Sequence, residues 1–278
     1  MEKIVIYCAS GYGERVAYAL DDTKYDIIGF IDSSQEAWGG YIAGAQIYKP
    51  EDITKLEFDR VIISIPLYGD EIRKTLMGDY GIAEEKIVVY QEFTKDVIWE
   101  DERIIELRKC IQMMKERHIE GAMAEVGVYT AEFSKLFNRY FPERKLYLFD
   151  TFSGFDSSRD LVDESDTSRF QDTSVELVMG KMVNPENVII RKGYFPDTVD
   201  GLEEKFALVS LDCDLYNPIL AGLKYFYPRL VSGGYIFIHD FGSYHYTEVK
   251  TAVYEFCKET QMAIVPLTDR CQSVIISK

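Results

Sequence analysis

The sequence predicts an α/β protein made of two Rossmann-like units in tandem, the second of which closes with an antiparallel hairpin. Short apolar runs alternate with helical stretches along the chain, which is the pattern of parallel sheets covered by helices. A charged amphipathic helix interrupts this pattern once. The last two apolar runs stand too close together for a helical crossover, so we expect them to pair as a hairpin.

The first unit is predicted to span residues 1–98. A small-residue turn at residues 9–13 separates its first strand from a helix, and Asp32 ends its second strand. This order is the outline of a dinucleotide site, but the fingerprint is incomplete, because Cys8 and Ser10 stand where glycines are expected. Buried strands are predicted at residues 3–8, 27–31, 60–65 and 87–90.

The second unit is predicted to span residues 99–278. It begins with the amphipathic helix at residues 99–118 and ends with the hairpin around a turn at residues 268–270. Between them, strands alternate with helical stretches, as in a mostly parallel sheet. The predicted strands lie at residues 123–126, 146–149, 188–190, 207–211, 235–238, 262–267 and 273–277.

The charge balance argues against a nucleic-acid partner. The formal net charge is −16 at pH 7 and no dense run of Lys or Arg occurs, so the basic surface of a nucleic-acid binder is missing. The five cysteines are scattered and form no C-x-x-C pair, which indicates neither a disulfide framework nor a zinc knuckle and favours a reducing, cytoplasmic location. No secretion signal or membrane-spanning run is recognised, so no membrane partner is expected.

Acidic side chains are predicted to meet at the carboxyl edge of the second sheet, where open α/β sheets bind ligands. Asp212 and Asp214 follow one strand, and His239 and Asp240 follow the next. Clustered carboxylates repel one another unless a cation lies between them. Asp214, His239 and Asp240 are therefore predicted to hold a divalent metal, Mg²⁺ or, through the imidazole, Mn²⁺. The alternative is that Asp212 and Asp214 cap the following helix.

The first two strands of the same unit end in residues suited to a nucleoside. Residues 125–129 include Gly127, which lets the backbone approach a ligand closely, although ordinary turn geometry is the alternative. Asp150 ends the next strand and is placed to accept hydrogen bonds from a ribose. Together these positions predict a nucleoside-containing cofactor.

Five segments of the second unit form an ordered series of motifs: AEVGV at residues 124–128, FDTFSGF at 149–155, GYFPDT at 193–198, DCDLY at 212–216 and YPRLVSGG at 227–234. These segments resemble the macrocin O-methyltransferase family, in the family's order, over residues 100–278. The resemblance implies a class I methyltransferase fold, the cofactor S-adenosylmethionine, Mg²⁺ dependence, and a hydroxyl of a deoxysugar or related glycoside as the acceptor.

The resemblance also assigns roles to individual residues. Asp214 matches the family's first metal-binding aspartate and Asp240 the second of its paired aspartates, where this chain has His239 in place of the first. His245 is a candidate general base, or else an exposed or helix-capping histidine. Asp214 and His245 are the predicted catalytic residues. The predicted cofactor-binding residues are Glu125, Gly127, Val128, Tyr129, Asp150, Thr151, Gly193, Tyr194 and Asp212.

The first unit is similar to the small Rossmann-like N-terminal domain of sugar acyltransferases, through residues 28–32, Gly44 and residues 50–53. This resemblance implies a role in docking a nucleotide-sugar or in forming a homo-oligomer. An NAD site and a purely structural domain are the alternatives. The polar segment at residues 156–173 is either a lid or a solvated loop.

The predicted function is S-adenosylmethionine-dependent, metal-assisted O-methylation of a sugar or glycoside, including nucleotide-linked sugars. One alternative is an NAD-dependent sugar oxidoreductase or epimerase that uses the first unit. The other is a non-catalytic nucleotide sensor. Methyl transfer distinguishes the prediction from both alternatives.

Overall fold

The computed structural model of the chain describes residues 1–90, 102–156, 158–159 and 168–278. Two compact units are found, Met1–Lys109 and Cys110–Lys278. The predicted boundary between residues 98 and 99 lies outside the described residues and stays a prediction. The helices are α1 (Gly11–Ala19), α2 (Gly69–Gly78), α3 (Glu102–Glu116), α4 (Ser134–Tyr140), α5 (Val175–Met179), α6 (Tyr216–Arg229) and α7 (Thr247–Thr260).

The first unit contains a sheet with the strand order β3-β4-β2-β1-β5-β6. Its pairings are parallel except for β3 with β4. Helices cover both faces, because alternate residues of β1 are buried on opposite sides: Ile6 packs near Val16 of α1, and Val5 packs near Leu76 of α2. The strands are β1 (Glu2–Tyr7), β2 (Tyr25–Ile31), β3 (Tyr41–Ile42), β4 (Ala45–Tyr48), β5 (Arg60–Ile63) and β6 (Ile87–Val89).

The four strands predicted in this unit are present as β1, β2, β5 and β6, but β3 and β4 were missed. These strands have two and four residues, which is too short for a hydrophobic period to be read. Gly44 connects them with a φ of +82°, a left-handed conformation that glycine adopts without strain. The local turn and the parallel pairing of β4 with β2 therefore decide this edge of the sheet.

The residues that suggested a dinucleotide fingerprint hold the first unit together. The Asp32 carboxylate accepts hydrogen bonds from the backbone N–H of Ala9 at 2.7 Å and of Ser34 at 2.8 Å. A Cβ on Gly13 would lie 2.1 Å from the carbonyl oxygen of Cys8, so this glycine lets α1 pass close to the turn after β1. The pattern thus has a structural explanation that needs no dinucleotide.

The second unit contains a sheet with the strand order β12-β13-β11-β10-β7-β8-β9. Strands β7 to β11 pair in parallel, whereas β13 runs antiparallel to β11 and to β12. The predicted parallel sheet with a terminal hairpin is confirmed. The strands are β7 (Ala122–Val126), β8 (Leu146–Asp150), β9 (Val188–Lys192), β10 (Phe206–Leu211), β11 (Leu230–Ile238), β12 (Val265–Pro266) and β13 (Val274–Ser277).

An aromatic core lies under the parallel strands of the second unit. Phe226 of α6 packs edge-on against Phe206 and Phe149, with ring centroids 4.9 Å and 6.0 Å apart. All three rings are fully buried, and burying such side chains contributes about 1.5–3 kcal/mol each. This core supports the strand ends described next. No helix among the described residues is long and apolar enough to cross a membrane.

Candidate functional site

Neighbouring strands of the second sheet end at the same level. Leu211 of β10 pairs with Val126 of β7 and with Ile238 of β11, and Val126 pairs with Phe149 of β8. The residues that follow these positions therefore leave the sheet side by side, at the edge where parallel α/β sheets bind ligands. Those residues are Gly127, Asp150, Asp212 and His239.

Three aspartates form a carboxylate cluster at this edge. Asp212, Asp214 and Asp240 each offer a carboxylate oxygen, and these oxygens all lie within 4.8 Å of one another. Asp214 and Asp240 are buried, with exposed fractions of 9% and 8%. The structure thus brings Asp214 and Asp240 together as predicted, and it adds Asp212, which the sequence placed at the cofactor.

The backbone around Asp214 excludes the helix-capping alternative. The N-cap of α6 is Leu215, which makes no side-chain capping hydrogen bond, and the N–H of Tyr216 in the first turn donates to Glu248 at 3.4 Å. Asp214 and Asp240 have φ values of +62° and +55°, in the left-handed region that costs a non-glycine residue free energy. Two such residues stand in one cluster of buried charges, which is typical of a functional site rather than of a helix terminus.

The pKa values of two aspartates in the cluster, Asp214 and Asp240, are shifted in opposite directions. Burial raises the pKa of Asp214 well above its usual value, and the nearby charges of Asp212 and Asp240 raise it further. Burial also raises the pKa of Asp240, but the hydrogen bond and charge of His239 outweigh this effect, so its pKa is lowered overall. A cation near Asp214 would relieve the repulsion. Three hard oxygen donors fit Mg²⁺ or Mn²⁺.

His239 lies between two carboxylates of the cluster. Its Nδ1 atom is 2.8 Å from Oδ1 of Asp212 and 2.6 Å from Oδ2 of Asp240. Its own group of potential metal ligands is a different one, formed with Asp240 and Cys271. The predicted set of Asp214, His239 and Asp240 is therefore divided between two groups that share Asp240.

Cys271 was missed by the sequence analysis, because it stands far from the strand-end motifs in the chain. It lies in the loop between β12 and β13. This loop is anchored by Asp269, which is 2% exposed and accepts hydrogen bonds from the N–H of Cys271 and of Ser273 at 3.3 Å and 2.7 Å. The pairing of β13 with β11 brings this loop to the site.

Gly127 allows two strand-end loops to touch. A Cβ at this position would lie 2.0 Å from the carbonyl oxygen of Asp212, and the residue has a φ of +81°. The sequence predicted that Gly127 lets the backbone approach a ligand closely. The structure shows that it lets the backbone approach the backbone of Asp212. Gly127 positions the end of β7 against the carboxylate cluster, and its N–H donates to Phe149 at 2.9 Å.

Asp150 organises the loop after β7. Its carboxylate accepts hydrogen bonds from the N–H groups of Val128 at 2.7 Å, Tyr129 at 2.9 Å and Phe152 at 2.7 Å. The sequence predicted that these oxygens bind a ribose. The structure shows them holding the backbone that would surround the cofactor, and ribose binding stays a prediction.

Asp150→Asn is expected to weaken binding of S-adenosylhomocysteine by roughly 10- to 100-fold, since charge-assisted hydrogen bonds are worth about 1.5–3 kcal/mol. Calorimetric titration measures the change, with Asp156→Asn as the matched control, because the Asp156 carboxylate accepts hydrogen bonds from the nearby Ser158 in an exposed turn. If Asp150 acts through the loop, the substitution should weaken binding of an analogue without ribose hydroxyls by the same factor. Unchanged affinity would contradict this role.

Tyr129 is held at several points. Its hydroxyl donates to Asp172 at 2.9 Å, its carbonyl accepts from Thr173, and its ring packs edge-on against Phe170 with centroids 5.2 Å apart. These contacts tie the described end of the polar segment at residues 168–173 to the loop after β7. Sequence analysis missed Asp172 and Thr173, because nothing in their spacing marks them. The lid interpretation of residues 156–173 rests partly on positions outside the described residues.

The remaining predicted cofactor residues surround the same loops. Glu125 and Val128 are buried. The Thr151 hydroxyl donates to the Gly154 carbonyl at 2.6 Å. Gly193 donates its N–H to the Asp150 carbonyl at 2.9 Å, next to Tyr194, whose ring lies 3.8 Å from the guanidinium of Arg159. Their roles at the cofactor stay predictions.

His245 lies outside both groups of potential metal ligands found among the described residues. It is exposed, in the loop before α7, with its N–H donating to Ser243 at 3.3 Å and its ring 4.6 Å from that of Tyr246. Its helix-capping alternative is not seen, because the N-cap of α7 is Tyr246. A role as general base stays a prediction.

Comparisons with known proteins find family profiles that match each unit. The macrocin O-methyltransferase (TylF) family profile matches residues 96–269, and a profile described as C2185-like, N-terminal, matches residues 1–88. The acyltransferase-like interpretation of the first unit is not confirmed. A search among curated proteins finds no match.

Solved structures of methyltransferases match the chain, and NovP is similar to it in fold. The O-methyltransferase NovP is 21% identical with a TM-score of 0.56, and the match covers 76% of this chain and 98% of NovP. CalS11, a calicheamicin methyltransferase, is 16% identical with a TM-score of 0.48, covering 76% of this chain and 91% of CalS11. The family match spans more than half of the chain. The chain therefore belongs to the macrocin O-methyltransferase (TylF) family and is an S-adenosylmethionine-dependent O-methyltransferase.

Proposed function

We propose that the enzyme methylates a hydroxyl group of a sugar or glycoside, and that the carboxylate cluster of Asp212, Asp214 and Asp240 holds a divalent cation beside the cofactor. The observation that carries the proposal is the meeting of these three carboxylates within 4.8 Å directly against the Gly127 loop. Family membership supports the methyl donor and the hydroxyl acceptor.

Methyl transfer to a hydroxyl is an in-line displacement, so alignment of oxygen, methyl carbon and sulfur is the main requirement. The Gly127 loop, which Asp150 braces, would hold the cofactor with its methyl group toward the cluster. Asp214, which is buried in this cluster, would accept the proton of the attacking hydroxyl. When bound, Mg²⁺ or Mn²⁺ supplies Lewis-acid polarisation of that hydroxyl.

A sugar acceptor fits the family to which the chain belongs, and nucleotide-linked sugars are included in the proposal. For the first unit we propose a role in docking such a substrate or in forming a homo-oligomer. Its Asp32 and Gly13 already serve the local backbone. Because these residues have local structural roles, they do not support a hydride-transfer site in the first unit.

The proposal is tested with the full chain, first stripped of metal by a chelator and then resupplied with Mg²⁺. S-adenosylhomocysteine should bind with or without the metal, whereas transfer of labelled methyl to a panel of nucleoside-diphosphate sugars and free glycosides should require it. Catechol serves as a hydroxyl acceptor that carries no sugar.

Transfer to catechol but to no sugar would overturn the proposed acceptor. Full activity in the chelator would overturn the proposed cation. Tight NAD binding with hydride transfer and no methylation would favour an oxidoreductase instead, and cofactor binding without turnover on any acceptor would favour a sensor.

A further inference from the structure

Nitrogen, oxygen and sulfur donors converge beside the carboxylate cluster. His239, Asp240 and Cys271 each offer one ligand atom, and these atoms lie within 4.8 Å of one another. The His239 side chain is 16% exposed, Asp240 is buried, and Cys271 is half-buried. Oxygen donors alone suit Mg²⁺, but imidazole and thiolate ligands select borderline-soft ions such as Zn²⁺.

Backbone contacts hold these donors in place. His239 and Asp240 follow β11 directly, and Ile238 at its end pairs with Val274 at the start of β13. The loop that carries Cys271 is anchored by the buried Asp269, and the Cys271 carbonyl accepts from the N–H of Gly242 at 3.2 Å. The two loops are thus joined on both sides of the donor group, which lowers the entropy lost on binding an ion.

We propose that His239, Asp240 and Cys271 form a binding site for a borderline-soft divalent metal ion, with Zn²⁺ as the type, and that the site shares Asp240 with the carboxylate cluster. On binding, the Cys271 thiol releases its proton to solvent and the thiolate coordinates the ion. Three protein ligands leave a coordination position open, as catalytic zinc sites do. The inference deepens the proposed function, because it gives this chain a softer cation site than carboxylates alone provide.

The proposed site explains why this chain has His239 where the family resemblance implies an aspartate. A nitrogen donor at this position and a sulfur donor from the terminal hairpin change the metal preference in the same direction. His239 also lies 2.8 Å from Asp212, a carboxylate that can orient the imidazole. The shared Asp240 links the occupancy of the soft site to that of the carboxylate cluster.

Cobalt titration of the chelator-treated full chain tests the site. Co²⁺ should produce the near-ultraviolet absorption of a thiolate ligand, Zn²⁺ should displace it, and excess Mg²⁺ should not. Cys271→Ser should abolish this absorption and weaken Zn²⁺ binding at least about tenfold. Cys257→Ser is the matched control, since Cys257 is also a half-buried cysteine but lies in α7, and it should behave as the natural protein.

A second measurement uses the unmodified protein and so does not depend on how a variant folds. Zn²⁺ should protect Cys271, but not Cys257, from alkylation as read by peptide mass spectrometry. Absence of the thiolate absorption, its persistence in Cys271→Ser, or equal alkylation of Cys271 with and without Zn²⁺ would overturn the inference. Binding of S-adenosylhomocysteine and methyl transfer with Mg²⁺ are measured in parallel, because those results judge the proposed function separately.

Discussion

Asp214→Asn is expected to lower the rate of methyl transfer at least about 100-fold, the scale of losing a group that stabilises the transition state, without changing the affinity for S-adenosylhomocysteine. Asn keeps the shape of the side chain and tolerates the φ of +62° at this position. It removes only the carboxylate charge that the proposed metal and the proton of the acceptor require. Methyl transfer at saturating cofactor measures the effect.

The same substitution should raise the melting temperature of the metal-free protein. In the folded state Asp214 is buried and faces the charges of Asp212 and Asp240, which raises its pKa, so its ionised form opposes folding. The stabilisation of the natural protein by added Mg²⁺, which follows from binding to the folded state, should disappear in the variant. An enzyme that is slower merely because it is damaged would melt earlier instead.

Asp200→Asn is the matched control, because Asp200 is exposed and lies outside the carboxylate cluster. It should leave transfer, melting temperature and Mg²⁺ response unchanged. If Asp214→Asn transfers methyl groups at the natural rate, or still gains stability from Mg²⁺, the carboxylate cluster is not the cation site.

Gly127→Ala should abolish cofactor binding and destabilise the fold by at least about 4 kcal/mol, the range of severe backbone or packing defects. The added Cβ would lie 2.0 Å from the carbonyl oxygen of Asp212, and it would have to adopt a φ of +81°. Relief requires the end of β7 to move away from the end of β10. Denaturant unfolding and calorimetry with S-adenosylhomocysteine measure the two losses.

Gly201→Ala separates the two causes. Gly201 also has a positive φ, +68°, but a Cβ there meets nothing within 4 Å, so this variant should cost only the left-handed backbone, about 1–2 kcal/mol. Its cofactor affinity should be unchanged. Equal destabilisation of the two variants would show that Gly127 is needed for its φ alone and not for the contact between the loops.

Elements that rest on contiguous residues were predicted from the sequence, whereas elements that rest on distant pairings were not. The buried strands of the second unit were predicted because each is a continuous apolar run, as in Phe206–Leu211, and such runs are local signals. The strands Tyr41–Ile42 and Ala45–Tyr48 were missed because a turn and one parallel pairing make them. The strand-end aspartates were found since residues after buried strands must lie at the edge of the sheet.

The residues that make up the candidate site were harder to predict from the sequence. Asp212 was placed at the cofactor, but the structure puts it in the carboxylate cluster. Cys271 and Asp172 carried no motif and are brought near the site by the hairpin and by a contact with Tyr129. Asp150 was predicted to bind a ribose, which stays a prediction, and its hydrogen bonds to the loop after β7 could not be read from spacing.

The sequence by itself determined the two α/β units, the terminal hairpin and the family, because periodicity, strand-end acids and ordered motifs are properties of contiguous residues. Tertiary structure alone decided which donor atoms lie together, why Gly127 cannot carry a side chain and how His239 meets Cys271. Those features depend on strand order and register. Pairing across a sheet brings together residues that are far apart in the chain, and their sequence separation does not predict the contact.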